Sequence, residues 1–524
     1  MFRNRDALWT NVKSCTIEYI KVDDMCSTWN MDDAMKHACL WNNVFIARKI
    51  TEQGFNSNKY LQYAIDNEQQ NRELVMLMIE RGANDWNGGL YTACKRGHRD
   101  LVKLMIERGA NHWNYGIRFA CEGGHLDLVM LMIERGANDW NGGLSGACSG
   151  GHRDLVKFII NKYGPQKGSN DWNRGLCGAC RGGHLDLAML MIERGADNWK
   201  GGIICACGGG HFDLVNFLIN KYGLQMGAEC WNEGLGCACL EGHHDLVMLM
   251  IKRGANNWND GLRNACQGGH HNLVMLMIDR GADDWNGGLY YACLRGHRAI
   301  ALLMIDHAGL QKGADDWNFG LRGACQEGHF DLALMMIERG ADDWNGGLSD
   351  ACLGGHLDLV NLMIDRGADK LNQSLQTACQ GGHRNLVMLI IERGANNWNM
   401  GLEGACGGGH RDLVMLMIER GANNWNEGLR GACYWGHRDI VMLMIERGAN
   451  NWNLGLEGAC EGDRIDIVTL LINYIGQKKD AYDWSHYIQI AREEGNRSIV
   501  KFIKQVIGNN EAESEEESEE DIPY

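Results

Sequence analysis

The sequence sets a histidine four residues after a cysteine and repeats the pair along its length: Cys94/His98, Cys121/His125, Cys148/His152 and on to Cys433/His437. A thiolate and an imidazole four apart on one helix can hold a metal. A structural zinc, however, needs four ligands at ~2 Å, and each phrase supplies two. Packed helices stand ~8–10 Å apart, too far for neighbouring phrases to share an ion. The same letters also read as packing, because buried cysteine behaves as a small hydrophobe. Cys177 and Cys180, in "CGAC", have the spacing of a redox pair. They lack the strand-helix context of one and read as an extra cysteine on a variable position. No unique set of nucleophile, base and orienting group stands out, and "GGG" at 208–210 is not a phosphate loop. The expectation is a non-enzymatic chain with no metal and no cofactor.

What must position these residues is a repeat. "GANDWNGGLYTACKRGHRDLVKLMIER", residues 82–108, returns 27 positions later as "GANHWNYGIRFACEGGHLDLVMLMIER". Tryptophan marks 14 such units from Trp86 to Trp452, with Leu371 taking its place once. Spacings are 27 or 32, and each 32 is a 27 with five residues inserted at one place, as in "NKYGPQKGSN". A fixed insertion point implies a surface loop. Each unit predicts two short helices. The first spans "GLYTACKR", with Asn87 as its N-cap and Leu90, Ala93, Cys94 and Gly97 on its packed face. The second spans "RDLVKLMIER", with Asp100 and Arg108 suiting the helix dipole and Gly109 closing it. One unit cannot cover so apolar a second helix, so neighbours must, and the array predicts a solenoid. At ~8–10 Å per unit it would exceed ~100 Å. The tryptophans read as core fillers at the loop, since stacking needs centroids within ~4.5–7 Å.

Composition agrees. Glycine is 70 of 524 residues and proline only 2, Pro165 and Pro523, which excludes collagen and proline-rich linkers. The opening "MFRNRDALWTNVKSC" has no apolar core of a secretory leader. No apolar run approaches the ~20 residues of a membrane span. The 21 cysteines mostly occupy one repeat position. That argues for a reducing compartment, the cytoplasm, and against a disulfide framework. Net charge is -16, which argues against a protein that neutralises nucleic-acid phosphates.

The unit "GLxxACxxGHxDLVxLMIxRGA" resembles the ankyrin repeat over roughly residues 25–508. Leu90 takes the leucine of the family's TPLH, Ala93 and Cys94 take its two alanines, and Gly97-His98 takes its turn. The resemblance implies a turn histidine that hydrogen-bonds backbone between repeats. Two departures stand out. Glycines such as Gly88-Gly89 replace the Thr-Pro pair, and the unit is six residues shorter than the family's ~33. The missing piece is where the family carries a β-hairpin finger. The fold class expected is therefore all-α, an ankyrin-type helical-repeat solenoid with shortened or absent fingers. This abbreviated, tryptophan-marked form is similar to arrays encoded by large DNA viruses, which implies a viral protein acting on host proteins in the host cytoplasm. No F-box-like segment is visible at either end.

The expected organisation is degenerate repeats and a cap over 1–80, the array over 81–480, a helical cap over 481–508 and an acidic disordered tail over 509–524. The tail carries eight acids between 511 and 521, and Ser514 and Ser518 precede acids. It reads as a solubilising tail, with acid-directed phosphorylation as the other reading. Function falls to the letters that change. On the first helix these are Tyr91, Lys95, Arg118, Phe119, Tyr290, Tyr291, Arg295, Arg322, Arg430, Tyr434 and Trp435. Aromatics and arginine favour protein interfaces, and a solvated face under no demand is the opposing reading. The expectation is a monomeric protein-binding scaffold using a groove along the first helices, with protein partners and no nucleic acid or membrane. The alternative is a self-associating solenoid. On the second helix Met130, Met189, Met248, Met275, Met388, Met415 and Met442 alternate with Lys103, Lys157, Asn216 and Asn361. Such a row is either an adhesive stripe or partly buried under neighbours, and burial is the favoured reading.

Overall fold

The structure is a computed structural model that describes residues 35–36, 38–39, 42–51, 57–67, 72–163, 172–223, 226–308, 317–476, 483–494 and 496–507. The acidic tail with Ser514 and Ser518, Gly495, most of the first 41 residues and the insertion segments 164–171, 309–316 and 477–482 lie outside the described residues. Among the described residues there are 33 helices and no strand. The chain divides into two compact units, Met1–Asp283 and Asp284–Tyr524. Within each, helices alternate between the two kinds the repeat predicts, and consecutive first helices pack on one another.

The unit that opens the regular array shows why this sequence folds so. Its first helix runs Trp86–Arg96 and its second Arg99–Arg108. Leu90, Ala93 and Cys94 of the first and Leu101, Val102 and Met105 of the second are buried. Gly97 ends the first helix at φ 75°, and its N–H bonds back into the last turn. That left-handed conformation suits glycine. A Cβ at Gly97 would also meet the imidazole of His125, one unit on, at 2.5 Å. Gly109 closes the second helix at φ 112°.

The N-cap differs from expectation. The first helix begins three residues before "GLYTACKR", and Asp85 caps it by accepting the Gly88 N–H at 2.9 Å. Asp139, Asp284 and Asp343 do the same in other units. Asn87 lies inside the helix, and its Oδ1 accepts the backbone N–H groups of Asn111 and His112, in the following unit, at 2.9 and 3.1 Å. In the second compact unit Asn345 accepts from Asp369 and Lys370, each at 2.9 Å. Asn114, Asn232, Asn318, Asn372, Asn399 and Asn426 repeat the pattern. One side chain thus satisfies the loop amides that have no strand partner here. An unpaired backbone N–H is costly wherever water is excluded.

Close approach is the second device. A Cβ on Gly146 would strike the carbonyl oxygen of Arg118 on the preceding first helix, and Gly178 and Gly404 stand in the same relation to Ser145 and Gln376. The tryptophans, expected as core fillers, are mostly half-buried, with Trp231, Trp285 and Trp484 buried. The arginine that ends the same unit covers many of them. Arg135 lies 6.0 Å from the Trp113 ring, Arg280 5.8 Å from Trp258 and Arg420 5.6 Å from Trp398. In units that precede an insertion an aromatic ring takes that place: Tyr163 on Trp140 at 3.7 Å, Tyr222 on Trp199 at 3.9 Å and His307 on Trp285 at 5.3 Å.

Two outcomes follow from these contacts. Asn345→Ala, which removes an acceptor shared by two amides, is expected to cost about 1–2 kcal/mol, read as a lower urea midpoint. Gly146→Ala, which pushes two helices apart, is expected to cost about 1–3 kcal/mol by the same measurement.

Candidate functional site

The recurring cysteine and histidine do not meet as ligands. Cys94 lies in the first helix, whereas His98 lies beyond its end and begins the second, its own N–H bonded to Ala93 O at 2.9 Å. The four-residue spacing therefore crosses a helix end. The cysteine goes into the core, where burial pushes the Cys94 thiol up to about 12. The imidazole goes to the neighbouring repeat. Nε2 of His152 donates to Glu122 O at 2.9 Å, that of His383 to Leu353 O at 3.0 Å and that of His410 to Gln380 O at 3.2 Å. His211, His270, His356 and His437 do likewise. This is the bridging role that the resemblance implies. Among the described residues no three His, Cys, Asp or Glu side chains gather as a metal site.

The variable face of the first helix holds the remaining candidates, and many of them bind the adjacent unit. Lys95 pairs with Glu122 at 2.7 Å, Arg322 with Asp350 at 2.8 Å and Arg430 with Glu461 at 3.3 Å. Tyr290 donates its hydroxyl to Gln326 Oε1 at 3.0 Å. Burial pushes the Asp350 carboxyl up, and the Arg322 guanidinium pulls against that. Tyr91 sits 2.5 Å from His112 Nδ1, with ring centroids 5.3 Å from Tyr115 and 5.6 Å from Phe119. Arg118 reaches over Phe119 at 5.9 Å. Arg295 is exposed at the end of its helix, and Tyr291 lies edge-on to Tyr290 at 5.2 Å. Tyr434 and Trp435 are 38% and 49% exposed and edge-on to each other at 5.2 Å.

The structure adds Tyr115 and Phe319 to this face; both are exposed. They stand two places after the tryptophan, where most other units carry Gly, Asp, Glu or Arg174, and three carry Gln373, Met400 and Leu454. That place is three and four residues before the variable pair, so it shares their side of the helix. The signal was a bulky ring at a position usually small or charged. On the second helix Met248 is exposed at 39%, and the other six methionines of the row are half-buried, as the favoured reading expects.

The fold defines a helical tandem-repeat protein. Residues 90–171 match the family model described as ankyrin repeats in three copies, and the same unit continues through the rest of the array. The chain thus carries ankyrin repeats over residues 90–171. The human ASB11 ankyrin repeat domain is 23% identical over 30% of this chain and 85% of that one, with a TM-score of 0.23. The maize pentatricopeptide repeat protein PPR10 is 12% identical over 97% and 99%, with a TM-score of 0.24. Scores this low give neither superposition any weight. No curated protein matches the chain.

The turn histidine His383 makes stability depend on pH. Burial lowers the His383 pKa below its ordinary 6.5, and His410 adds to the lowering while the Leu353 carbonyl opposes it. The unfolded chain protonates this imidazole as pH falls through 6.5, and the folded chain does so only at lower pH. The contribution is therefore complete above that value and is lost below it. The urea midpoint is expected to fall between about pH 7.5 and about pH 5.5. His383→Asn should start lower and fall less steeply.

Proposed function

We propose that this chain is a non-enzymatic scaffold that binds protein partners, as a monomer, along the variable face of its first helices. Ankyrin repeats in general mediate protein–protein interaction, and no helix among the described residues is long and apolar enough to cross a membrane. The observation that carries the reading is the pair Tyr434 and Trp435. They put two large rings into solvent on a helix whose other face repeats almost unchanged from unit to unit. Half-exposed Tyr and Trp are the side chains on which interface energy concentrates. Tyr115 and Phe319 extend the same chemistry to other units. The resemblance to virus-encoded arrays supports the narrower reading of a viral protein directed at host proteins in the host cytoplasm.

The test separates the exposed rings from residues that hold the repeats together. Tyr434→Ser/Trp435→Ser, with helicity and urea midpoint unchanged, is expected to lose at least about tenfold in affinity for a partner captured by the wild type. Equal capture by both chains, or no saturable partner for either, overturns the reading.

A further inference from the structure

Among the described residues seventeen cysteines are free, and all but Cys237 are buried. Burial pushes thiols such as Cys148, Cys180 and Cys207 up to about 12, which leaves little thiolate to react. Cys177 and Cys205 are different. Both stand half-exposed on the variable face of consecutive first helices, Trp172–Gly182 and Trp199–Gly209, and they are joined by a disulfide with a Cα–Cα distance of 5.6 Å. Sequence spacing alone makes Cys177 an extra cysteine on a variable position; the fold pairs it with Cys205 of the next unit.

A register rule explains it. The fifth residue after the marker tryptophan in one unit meets the sixth residue after it in the next. Arg322 and Asp350, 28 apart, meet this way as an ion pair. A Cβ on Gly236 would lie 3.1 Å from the Asn264 amide for the same reason. Cys177 is a fifth residue and Cys205 the sixth of the following unit, also 28 apart. Cys237 is a sixth residue too, so the residue facing it is Ile204 rather than Cys205, and Ile204 and Cys237 line one shallow cleft. The fold therefore selects one cysteine pair out of three half-buried or half-exposed candidates on this face.

We propose that Cys177 and Cys205 form a reversible thiol–disulfide site that exchanges with a low-molecular-weight disulfide of the glutathione class. Nothing in the fold requires the bond, because other units meet at the same register through an ion pair or a glycine. In the forward direction the Cys177 thiol gives its proton to water, and the thiolate attacks one sulfur of the small disulfide. A mixed disulfide forms and one small thiolate leaves. The Cys205 thiolate then attacks Cys177 Sγ, the protein disulfide forms, and the second small thiolate leaves. Two protein thiols are oxidised, one small disulfide is reduced to two thiols, and the released protons return to those thiols. The oxidised form ties two adjacent first helices together on the face that carries the variable residues. The site stands independently of any partner.

The test uses the full chain in mixtures of reduced and oxidised glutathione, without denaturant, quenched with N-ethylmaleimide and mapped by peptide mass spectrometry. The cross-linked 177–205 peptide is expected to appear with oxidised glutathione and vanish with reduced. Cys148, Cys180 and Cys207 should stay unlabelled until the chain is unfolded. Cys177→Ser should leave Cys205 carrying glutathione, and Cys237→Ser should leave the cross-link unchanged. Two thiols that persist in excess oxidised glutathione would overturn the proposal. So would a Cys205–Cys237 link, a bond that opens only in denaturant, or loss of the cross-link in Cys237→Ser.

Discussion

Consecutive first helices stack closely: at Gly146, Gly178 and Gly404 a Cβ would strike a carbonyl oxygen of the preceding helix, while the same position holds Cys205, Asn264 and Asp350 in other units. The rest of the molecule depends on that approach. It lets Leu, Ala and Cys of each first helix be buried without bulky side chains between them. It also brings the turn histidine of one unit within reach of a carbonyl in the unit before, to which its imidazole donates a hydrogen bond. A single repeat has none of these partners. Stability therefore resides in the junctions between units, as expected of an array with nearest-neighbour coupling.

The same closeness accounts for the abbreviated loop. With no strand among the described residues, the loop amides need another acceptor, and the asparagine after the tryptophan supplies it across the junction. The loop is short enough for the unit's closing arginine to cover the tryptophan ring. Where the chain is lengthened, Tyr163, Tyr222 or His307 stacks on the ring instead. Flat-on-flat contact thus seals the tryptophan in the units that precede an insertion.

Variation on the first-helix face has two sources. Lys95 with Glu122, Arg322 with Asp350, Arg430 with Glu461 and Cys177 with Cys205 are pairs, each letter answered by one in the next unit. Surface ion pairs of this kind contribute little individually, so they record neighbour compatibility more than stability. Tyr434, Trp435, Tyr115 and Phe319 stay exposed even where a neighbouring ring touches them. Those rings carry the functional reading.

Much was legible in the sequence because it is local or periodic. The second helix at Arg99–Arg108, the closing glycines, the buried Leu-Ala-Cys face and the packing role of the cysteines follow from helical spacing and backbone preference. The absence of strands among the described residues agrees with the shortened unit. Tertiary structure alone decided the role of Asn87, which looked like a cap and proved to be a brace to a loop 24 residues on. It also decided the cover on many of the tryptophans and the union of Cys177 with Cys205. These contacts join residues about one repeat apart. Their partners depend on how two neighbouring helices slide into register, and no window of local sequence contains that information.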